Sequence, residues 1–125
     1  MNRKDVEQWV EGYVRLWRTP GTGGLAELFQ PDATYLPSPW ATPITGLDEL
    51  AQFWDTERDS ADEAFTMSSD VVAVDGSTAV VRVSVDYGAP DGGRWRDLWV
   101  IRLAPDGRCS SFEEWPFAPA QPDVH

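Results

Sequence analysis

The fold is decided by the second half of the chain, which reads FTMSSDVVAVDGSTAVVRVSVDYGAPDGGRWRDLWVIRLAPDGRCSSFEEW from Phe65 to Trp115. Its β-rich runs are separated by three Asp-Gly pairs, and Asp-Gly is a favoured turn of β-hairpins. The glycines of these pairs are Gly76, Gly92 and Gly107. The pattern predicts an antiparallel four-stranded meander with strands at residues 65–74, 77–87, 94–103 and 108–115.

The first half of the chain has the apolar spacing of helices. From Val6 to Trp17, apolar residues recur three and four positions apart, which is typical of a helix with one buried face. A second, short helix is predicted from Leu25 to Phe29. A short strand is expected at residues 32–36.

A third helix is predicted to start at Thr45, with the Thr45 hydroxyl as its cap and Asp48 in the capping-box position. The acidic stretch at residues 55–63 is expected to be a solvated helix end or loop. Helices followed by a meander indicate an α+β fold with the helices packed on one face of the sheet.

The composition argues against several classes of function. With 21 acidic and 10 basic residues, the formal net charge is −11, which repels nucleic acids and anionic membrane surfaces. Acidity that merely keeps the protein soluble is the simpler explanation of the charge. A single cysteine, Cys109, cannot form an internal disulfide, and one cysteine with one histidine cannot build a zinc site. We therefore expect no metal and no cofactor.

The length of 125 residues suits one domain, which we place at residues 1–118, with a flexible C-terminal tail at 119–125. The N-terminal residues lack the apolar run of a signal peptide. No segment approaches the roughly 20 apolar residues that a membrane span needs. These features predict a cytoplasmic protein.

Three short motifs carry a resemblance to a known family. They are FQPDATY at residues 29–35, Gly46 at the opening of the third helix, and DGR followed by SFEEW near residues 106–115. In this order, they resemble the SnoaL-like, nuclear transport factor 2-like superfamily, over about residues 6–117. The resemblance implies a cystatin-like cone, in which a strongly curved antiparallel sheet wraps the first helix and leaves a pocket at its open end. It also implies pairing through the sheet, which is common in this superfamily.

The catalytic patterns of known members do not transfer intact. Ketosteroid isomerases place a base at the end of the first strand, where this chain has Leu36-Pro37-Ser38. Limonene epoxide hydrolases carry Arg-x-Asp on one strand face, and here Trp95 stands two residues before Asp97. Scytalone dehydratases use inward histidines, which this chain lacks outside its terminus. SnoaL-type cyclases use a late-strand acid, which Glu113 or Glu114 matches only loosely.

Two carboxylates are candidates for acid–base chemistry. Side chains alternate across a strand, so Asp97 shares the inner face with two tryptophans while three arginines occupy the outer face. On the last strand, the small and apolar residues of the Glu113 face favour that face as the inner one. Neighbouring inward carboxylates raise at least one pKa toward neutrality. Alternatively, each acid is a structural group with hydrogen-bond partners.

Aromatic residues supply the expected pocket wall. Seven of the 125 residues are tryptophan, more than a core of this size requires. Tyr13 is placed to donate a hydrogen bond to a developing oxyanion, although an aromatic that fills the core is the simpler reading. The predicted ligand-binding residues are Trp17, Tyr35, Trp40, Trp54, Trp99 and Trp115, with Trp40 as a rim or lid.

Two hypotheses follow from these features. In the first, the protein binds a small apolar or aromatic molecule, or an organic cation. It then acts either as a simple binding protein or as a cofactor-free acid–base enzyme in which Asp97 is the base, Glu113 the second acid and Tyr13 the polarising donor. In the second, the chain is a non-catalytic interaction domain that forms a homodimer through the outer sheet face. That face was assigned to Val80, Arg82, Leu98, Val100 and Phe112.

Overall fold

The computed structural model describes residues 1–58, 64–88 and 93–120. The predicted Asp91-Gly92 turn, most of the acidic stretch after Arg58 and most of the C-terminal tail lie outside these residues. Over these residues, the chain forms an α+β fold of three helices and one six-stranded sheet. In the described residues, no helix is both long and apolar enough to cross a membrane.

Helix α1 spans Arg3–Trp17 and forms for the reason that the spacing predicts, with one buried apolar face that includes Trp9 and Tyr13. Its start is fixed by a capping box, in which Asn2 Oδ1 accepts from the Asp5 backbone N–H and Asp5 Oδ2 accepts from the Asn2 N–H. Gly12 lets helix α2 (Leu25–Leu28) approach, because a Cβ there would lie 3.1 Å from Leu28 Cδ1.

The region between residues 29 and 57 departs from the predicted boundaries. Strand β1 runs over Phe29–Leu36 and therefore includes Pro31, which was expected to precede the strand. Strand β2, Ile44–Thr45, pairs with β1 and was not predicted. Thr45 is consequently a strand residue and not a helix cap.

Helix α3 spans Leu47–Glu57 and has Gly46 as its N-cap, with no side-chain capping bond. The φ of Gly46 is 88°, a left-handed conformation that glycine adopts without strain, so the backbone turns from β2 into the helix at this residue. The predicted capping box at Thr45 and Asp48 is wrong because the backbone N–H of Thr45 is instead bonded to Glu49 Oε2, at 2.9 Å.

The four predicted strands of the meander are present. They are β3 (Thr66–Asp75), β4 (Thr78–Asp86), β5 (Arg94–Leu103) and β6 (Cys109–Phe117). The sheet order is β2-β1-β6-β5-β4-β3. The pairs within the meander are antiparallel, but β1 joins β6 in parallel, so the sheet is mixed and not wholly antiparallel as expected.

A β-bulge in β6 controls which side chains face the helices. Leu103 pairs with Cys109 and Arg102 with Ser111, so Ser110 is an extra residue on β6. Cys109 and Phe112 are therefore both buried, although they are three positions apart. Phe112, assigned above to the outer face, lies in the core beneath α1, where its ring stacks with that of Tyr13 at 5.6 Å.

Candidate functional site

A cavity of about 430 Å³ lies between the helices and the inner face of the sheet. This volume is within the usual range of small-molecule sites. Half of its lining residues are aromatic: Tyr13, Trp17, Tyr35, Phe53, Phe65, Tyr87, Trp95 and Trp99. The charged residues in the lining are Glu57, Asp97 and Glu114.

The residues of each cavity wall follow from the side-chain periodicity of a helix or a strand. Tyr13 and Trp17 are four residues apart on α1, so their rings project from the same helix face and stack at 6.3 Å with an interplanar angle of 3°. Trp95, Asp97 and Trp99 alternate along β5 and share its inner face, as the sequence pattern predicts. Asp97 is 7% exposed, whereas its neighbour Leu98 is 38% exposed on the opposite face.

Asp97 and Glu114 form a carboxyl pair on adjacent strands. The register of β5 and β6 places Trp99 opposite Glu114 and Asp97 opposite Pro116, so the two acids are diagonal neighbours. A hydrogen bond joins their side chains. The indole N–H of Trp99 donates to Glu114 Oε2 at 2.9 Å. Asp97 Oδ1 is buried and has no hydrogen-bond partner among the described residues.

Burial shifts the pKa of both acids toward neutrality. The pKa of Glu114 rises from 4.5 to about 8, first through burial and then through the negative charge of Asp97. The pKa of Asp97 rises from 3.8 to about 6 through burial, opposed by hydrogen bonds from Glu114 and the Phe117 backbone N–H. Near pH 7 the pair therefore holds one shared proton and one negative charge.

Two tyrosines complete the polar part of the pocket. The hydroxyl oxygens of Tyr13 and Tyr35 are 3.0 Å apart, and either residue can donate to the other. Burial is the main cause that raises the pKa of both phenols well above 10.0, and Glu114 adds to the shift. Both tyrosines therefore stay protonated near neutral pH and are available as hydrogen-bond donors.

Glu113 does not face this pocket, which corrects the predicted orientation of the last strand. The bulge at Ser110 reverses the alternation, so Phe112, Glu114 and Pro116 take the inner face. Glu113 lies on the outer face, where its Oε1 accepts from the indole N–H of Trp115 at 2.9 Å. Glu114 replaces Glu113 as the second acid of the candidate site.

Three of the predicted ligand-binding tryptophans also lie elsewhere. Trp54 is 0% exposed and belongs to the core, because α3 turns it toward α1 and its ring meets Trp17 edge to face. Trp115 follows the reversed parity of β6 and is 39% exposed on the outer face. Trp40 is 98% exposed and lines a separate outer hollow with Glu113 and Trp115, so it is not a rim of the inner pocket.

The fold brings the other predicted site residues together. Tyr13, Trp17, Tyr35 and Trp99 all line the pocket beside Asp97. The residue missed was Glu114, and a signal for it exists in the sequence. Cys109 and Phe112 are the clearest core residues of that segment, and their odd spacing conflicts with regular alternation, which indicates a bulge between them.

The described residues offer no alternative chemical centre of the usual kinds. No group of three His, Cys, Asp or Glu side chains within residues 1–58, 64–88 and 93–120 is arranged to hold a metal ion. Burial raises the pKa of the Cys109 thiol to about 12, which leaves it protonated and unreactive. What the pocket can do chemically is to accept a proton at Asp97, donate one from Glu114, and donate hydrogen bonds from the tyrosines.

Comparison with known proteins agrees with this fold. The chain has 16% identity and a TM-score of 0.71 to SalBIII, an epoxide hydrolase/cyclase-like enzyme with a role in pyran ring formation in the polyether salinomycin, over 93% of each chain. It has 21% identity and a TM-score of 0.64 to a steroid delta-isomerase from Pseudomonas aeruginosa, over 93% of this chain and 82% of that one.

A protein with a cystatin-like fold from Caulobacter vibrioides is 15% identical, with a TM-score of 0.66, over 93% of this chain and 89% of that one. At these identities the likeness is one of fold. No curated protein matches the sequence. A family model, the SnoaL-like domain, matches residues 10–112, which is most of the chain. By its sequence and its fold, this chain belongs to the SnoaL-like domain family.

Proposed function

We propose that the protein binds a small, largely apolar molecule in the inner pocket and transfers a proton to or from it without a cofactor. The observation that carries this proposal is the Asp97–Glu114 pair. Two carboxyl groups whose pKa values straddle neutrality at the wall of an aromatic pocket are suited to general acid–base catalysis.

The roles divide by protonation state. Asp97, with the lower pKa, lines the cavity and is the base. Glu114 holds the shared proton and is the acid. The hydroxyls of Tyr13 and Tyr35 stabilise negative charge that develops on a substrate oxygen.

The reaction class is isomerase-, cyclase- or hydrolase-like. The names of two similar structures, a steroid delta-isomerase and an epoxide hydrolase/cyclase-like enzyme, support this class. Cytoplasmic location is part of the proposal, and the lone, buried Cys109 supports it.

The experiment is proton exchange at carbon. Small cyclic ketones are incubated with the protein in D₂O, and loss of the α-C–H signal is followed by NMR. Binding is measured separately in H₂O, where the Trp99 indole N–H resonance is visible. Asp97→Asn is expected to slow the exchange roughly 100-fold with little change in binding. Glu113→Gln, the same chemical change on the outer face, is expected to behave as wild type. Ketones that bind without any catalysed exchange would contradict the enzymatic part of the proposal.

A homodimer through the outer sheet face is the second candidate function. Leu98 and Trp115 are paired across β5 and β6 on that face and are 38% and 39% exposed. Phe117, further along β6, is 49% exposed. Exposed apolar side chains grouped in this way favour contact with another protein surface. The same protein can dimerise and keep its pocket, because the two lie on opposite faces of the sheet.

A further inference from the structure

The charges of the inner pocket have one sign. Its lining contains the carboxyl groups of Glu57, Asp97 and Glu114, and no lysine or arginine belongs to the lining within the described residues. Arg18 is not part of the lining but stacks on a wall residue, with its guanidinium 4.1 Å from the centroid of the Phe65 ring. Its Nη2 donates to the Phe65 carbonyl at 2.8 Å. The buried acids therefore have no cationic partner in the pocket.

One oxygen of the Asp97 carboxylate still needs a donor. Asp97 is 7% exposed and lines the cavity, and its Oδ1 has no hydrogen-bond partner among the residues described. Buried acceptors in proteins are almost always bonded, because an unpaired buried acceptor costs about 1–3 kcal/mol. A negatively charged acceptor costs more than a neutral one.

The aromatic rings of the cavity wall favour a positively charged ligand. Trp95 and Trp99 flank Asp97 on the same strand face, and Tyr13 and Trp17 close the helix side of the cavity. The faces of aromatic rings carry partial negative charge and attract ammonium groups that lie over them. The apolar rings also bury the body of a ligand.

We infer that the molecule bound in this pocket is an organic monocation, a protonated amine on a flat apolar body, with its ammonium group directed at the carboxylate of Asp97. The inference rests on the proposed binding of a small molecule in the pocket and names the class of that molecule. An ammonium group supplies both the missing donor and the missing positive charge. A neutral hydroxyl supplies only the donor, and an anion supplies neither.

Binding of the cation is coupled to the proton of the carboxyl pair. A positive charge beside Asp97 and Glu114 favours their ionised forms, so binding of the amine releases a fraction of the shared proton, and Glu114 keeps the remainder as the acid. Burial holds the pKa of Tyr13 and Tyr35 well above 10.0, so these two phenols do not contribute to the proton release. The ionisable groups that line the cavity besides the pair come from several elements. They are Tyr13 on α1, Tyr35 on β1, Glu57 at the end of α3 and Tyr87 after β4, while β3 contributes Met67.

The test uses three probes with one ring system and three charges. These are 1-naphthylmethylamine, 1-naphthalenemethanol and 1-naphthoic acid, titrated into the full chain by isothermal calorimetry at pH 7.5. Two buffers with different ionisation enthalpies report the protons released. We expect the amine to bind at least 10-fold more tightly than the alcohol, with net proton release, and the acid not to bind.

Variants connect the preference to the pair. Asp97→Asn is expected to weaken binding of the amine at least 10-fold, while the affinity for the alcohol stays within 3-fold of wild type. The same variant should lose most of the proton release. Glu113→Gln, which changes a carboxylate on the outer face, is expected to retain the preference for the amine. Near-UV circular dichroism of each variant verifies that the tryptophan environment is intact.

The outcomes separate this inference from the proposed function. An alcohol that binds as tightly as the amine, or an acid that binds best, would overturn the inference and leave small-molecule binding in place. An amine preference that survives Asp97→Asn would also overturn it. If none of the three probes shifts the Trp99 indole resonance or gives heat, both the inference and the pocket-binding proposal fail.

Discussion

At the scale of the residue, the site depends on two acids that the fold partly removes from water. Glu114 and Asp97 have raised pKa values, so the folded protein holds their protons more tightly than the unfolded chain does. The resulting stabilisation is present at low pH and is lost as the pH rises through about 6 for Asp97 and about 8 for Glu114. The pair therefore makes the folded protein less stable in alkaline solution.

Glu114→Gln is expected to reduce this loss. An amide keeps the shape of the side chain but cannot ionise, so at pH 9 the variant should exceed the wild type in free energy of unfolding by about 2 kcal/mol. At pH 5 the two proteins should differ little. Urea denaturation at both pH values measures the effect. Glu113→Gln is the matched control. An equal gain in stability in that variant would show that the net negative charge of the chain, and not the burial of Glu114, causes the loss at high pH.

The sequence predicts the Asp97 side of this pair but not the Glu114 side. Strand β5 alternates regularly, so three arginines on one face assign Asp97 to the other. In β6 the extra residue Ser110 reverses the parity, and alternation counted through it selects Glu113. The pKa values depend on burial and on the diagonal contact between strands, which no single strand encodes.

At the scale of the element, the bulge in β6 sets the composition of the pocket. It brings Phe112 into the core and Glu114 to the pocket wall, and it leaves Glu113 and Trp115 on the outer face. The bulge therefore determines which acid of β6 lines the pocket.

Deletion of Ser110 tests the role of the bulge. Without the extra residue, simple alternation from Cys109 keeps Phe112 and Glu114 on the inner face and Glu113 on the outer face. We therefore expect the deletion variant to fold, as measured by circular dichroism, and to keep the raised pKa of Glu114, as measured by carboxyl ¹³C NMR. Ser110→Ala keeps the residue count and should unfold near the wild-type temperature. A deletion variant in which Glu113 has the raised pKa and Glu114 does not would contradict this assignment.

Arg58 holds the segment that follows α1 through hydrogen bonds to its backbone. The position of Arg58 after an acidic helix did not indicate this role. It is 8% exposed, and its guanidinium donates to the carbonyls of Thr19 at 2.8 Å and Gly21 at 2.9 Å. It also reaches the carbonyls of Leu16 and Trp17, each at 3.3 Å, near the end of α1. A cation there offsets the negative end of the helix dipole.

Arg58→Ala is expected to destabilise the protein by about 2–4 kcal/mol, because these carbonyls lose a charged, multiply bonded donor. Chemical denaturation measures the change. Arg82→Ala is the control, since its side chain is 64% exposed and its ion pair with Asp70 is 3.9 Å long. That variant should stay within about 0.5 kcal/mol of wild type. A comparable loss in both variants would argue against a specific role for Arg58.

Elements with local signals were predicted, and elements that depend on distant pairing were not. The face of α1 and the strands around the Asp-Gly turns at Gly76 and Gly107 follow from spacing and turn chemistry. Strand β2 has only two residues, and the parallel pairing of β1 with β6 joins segments about 80 positions apart. Such contacts leave no periodic trace in the sequence.

At the scale of the whole molecule, the sheet separates two surfaces. The inner face carries the acids and the ring-lined cavity, and the outer face carries exposed Leu98, Trp115 and Phe117. The proposed ligand and the proposed second copy of the chain would therefore contact different faces of the sheet.

Self-association through the outer face is tested with Leu98→Asp. Charge at the centre of the apolar contact should convert a dimer into a monomer of 14.0 kDa in analytical ultracentrifugation at micromolar concentration. Asp97→Asn, one residue away on the inner face, should leave the dimer intact. A wild-type protein that sediments as a monomer would remove this candidate function.

The most direct measurement of the central claim is a pH titration of the side-chain carboxyl ¹³C signals of Asp97 and Glu114 by NMR. We predict two coupled steps, one near pH 6 and one near pH 8, with the upper step mainly on Glu114. Asp97→Asn should lower the Glu114 step, because it removes the neighbouring negative charge. If both carboxyl groups instead titrate below about pH 5, as ordinary exposed acids do, the pair is not poised for proton transfer and the proposed chemistry is wrong.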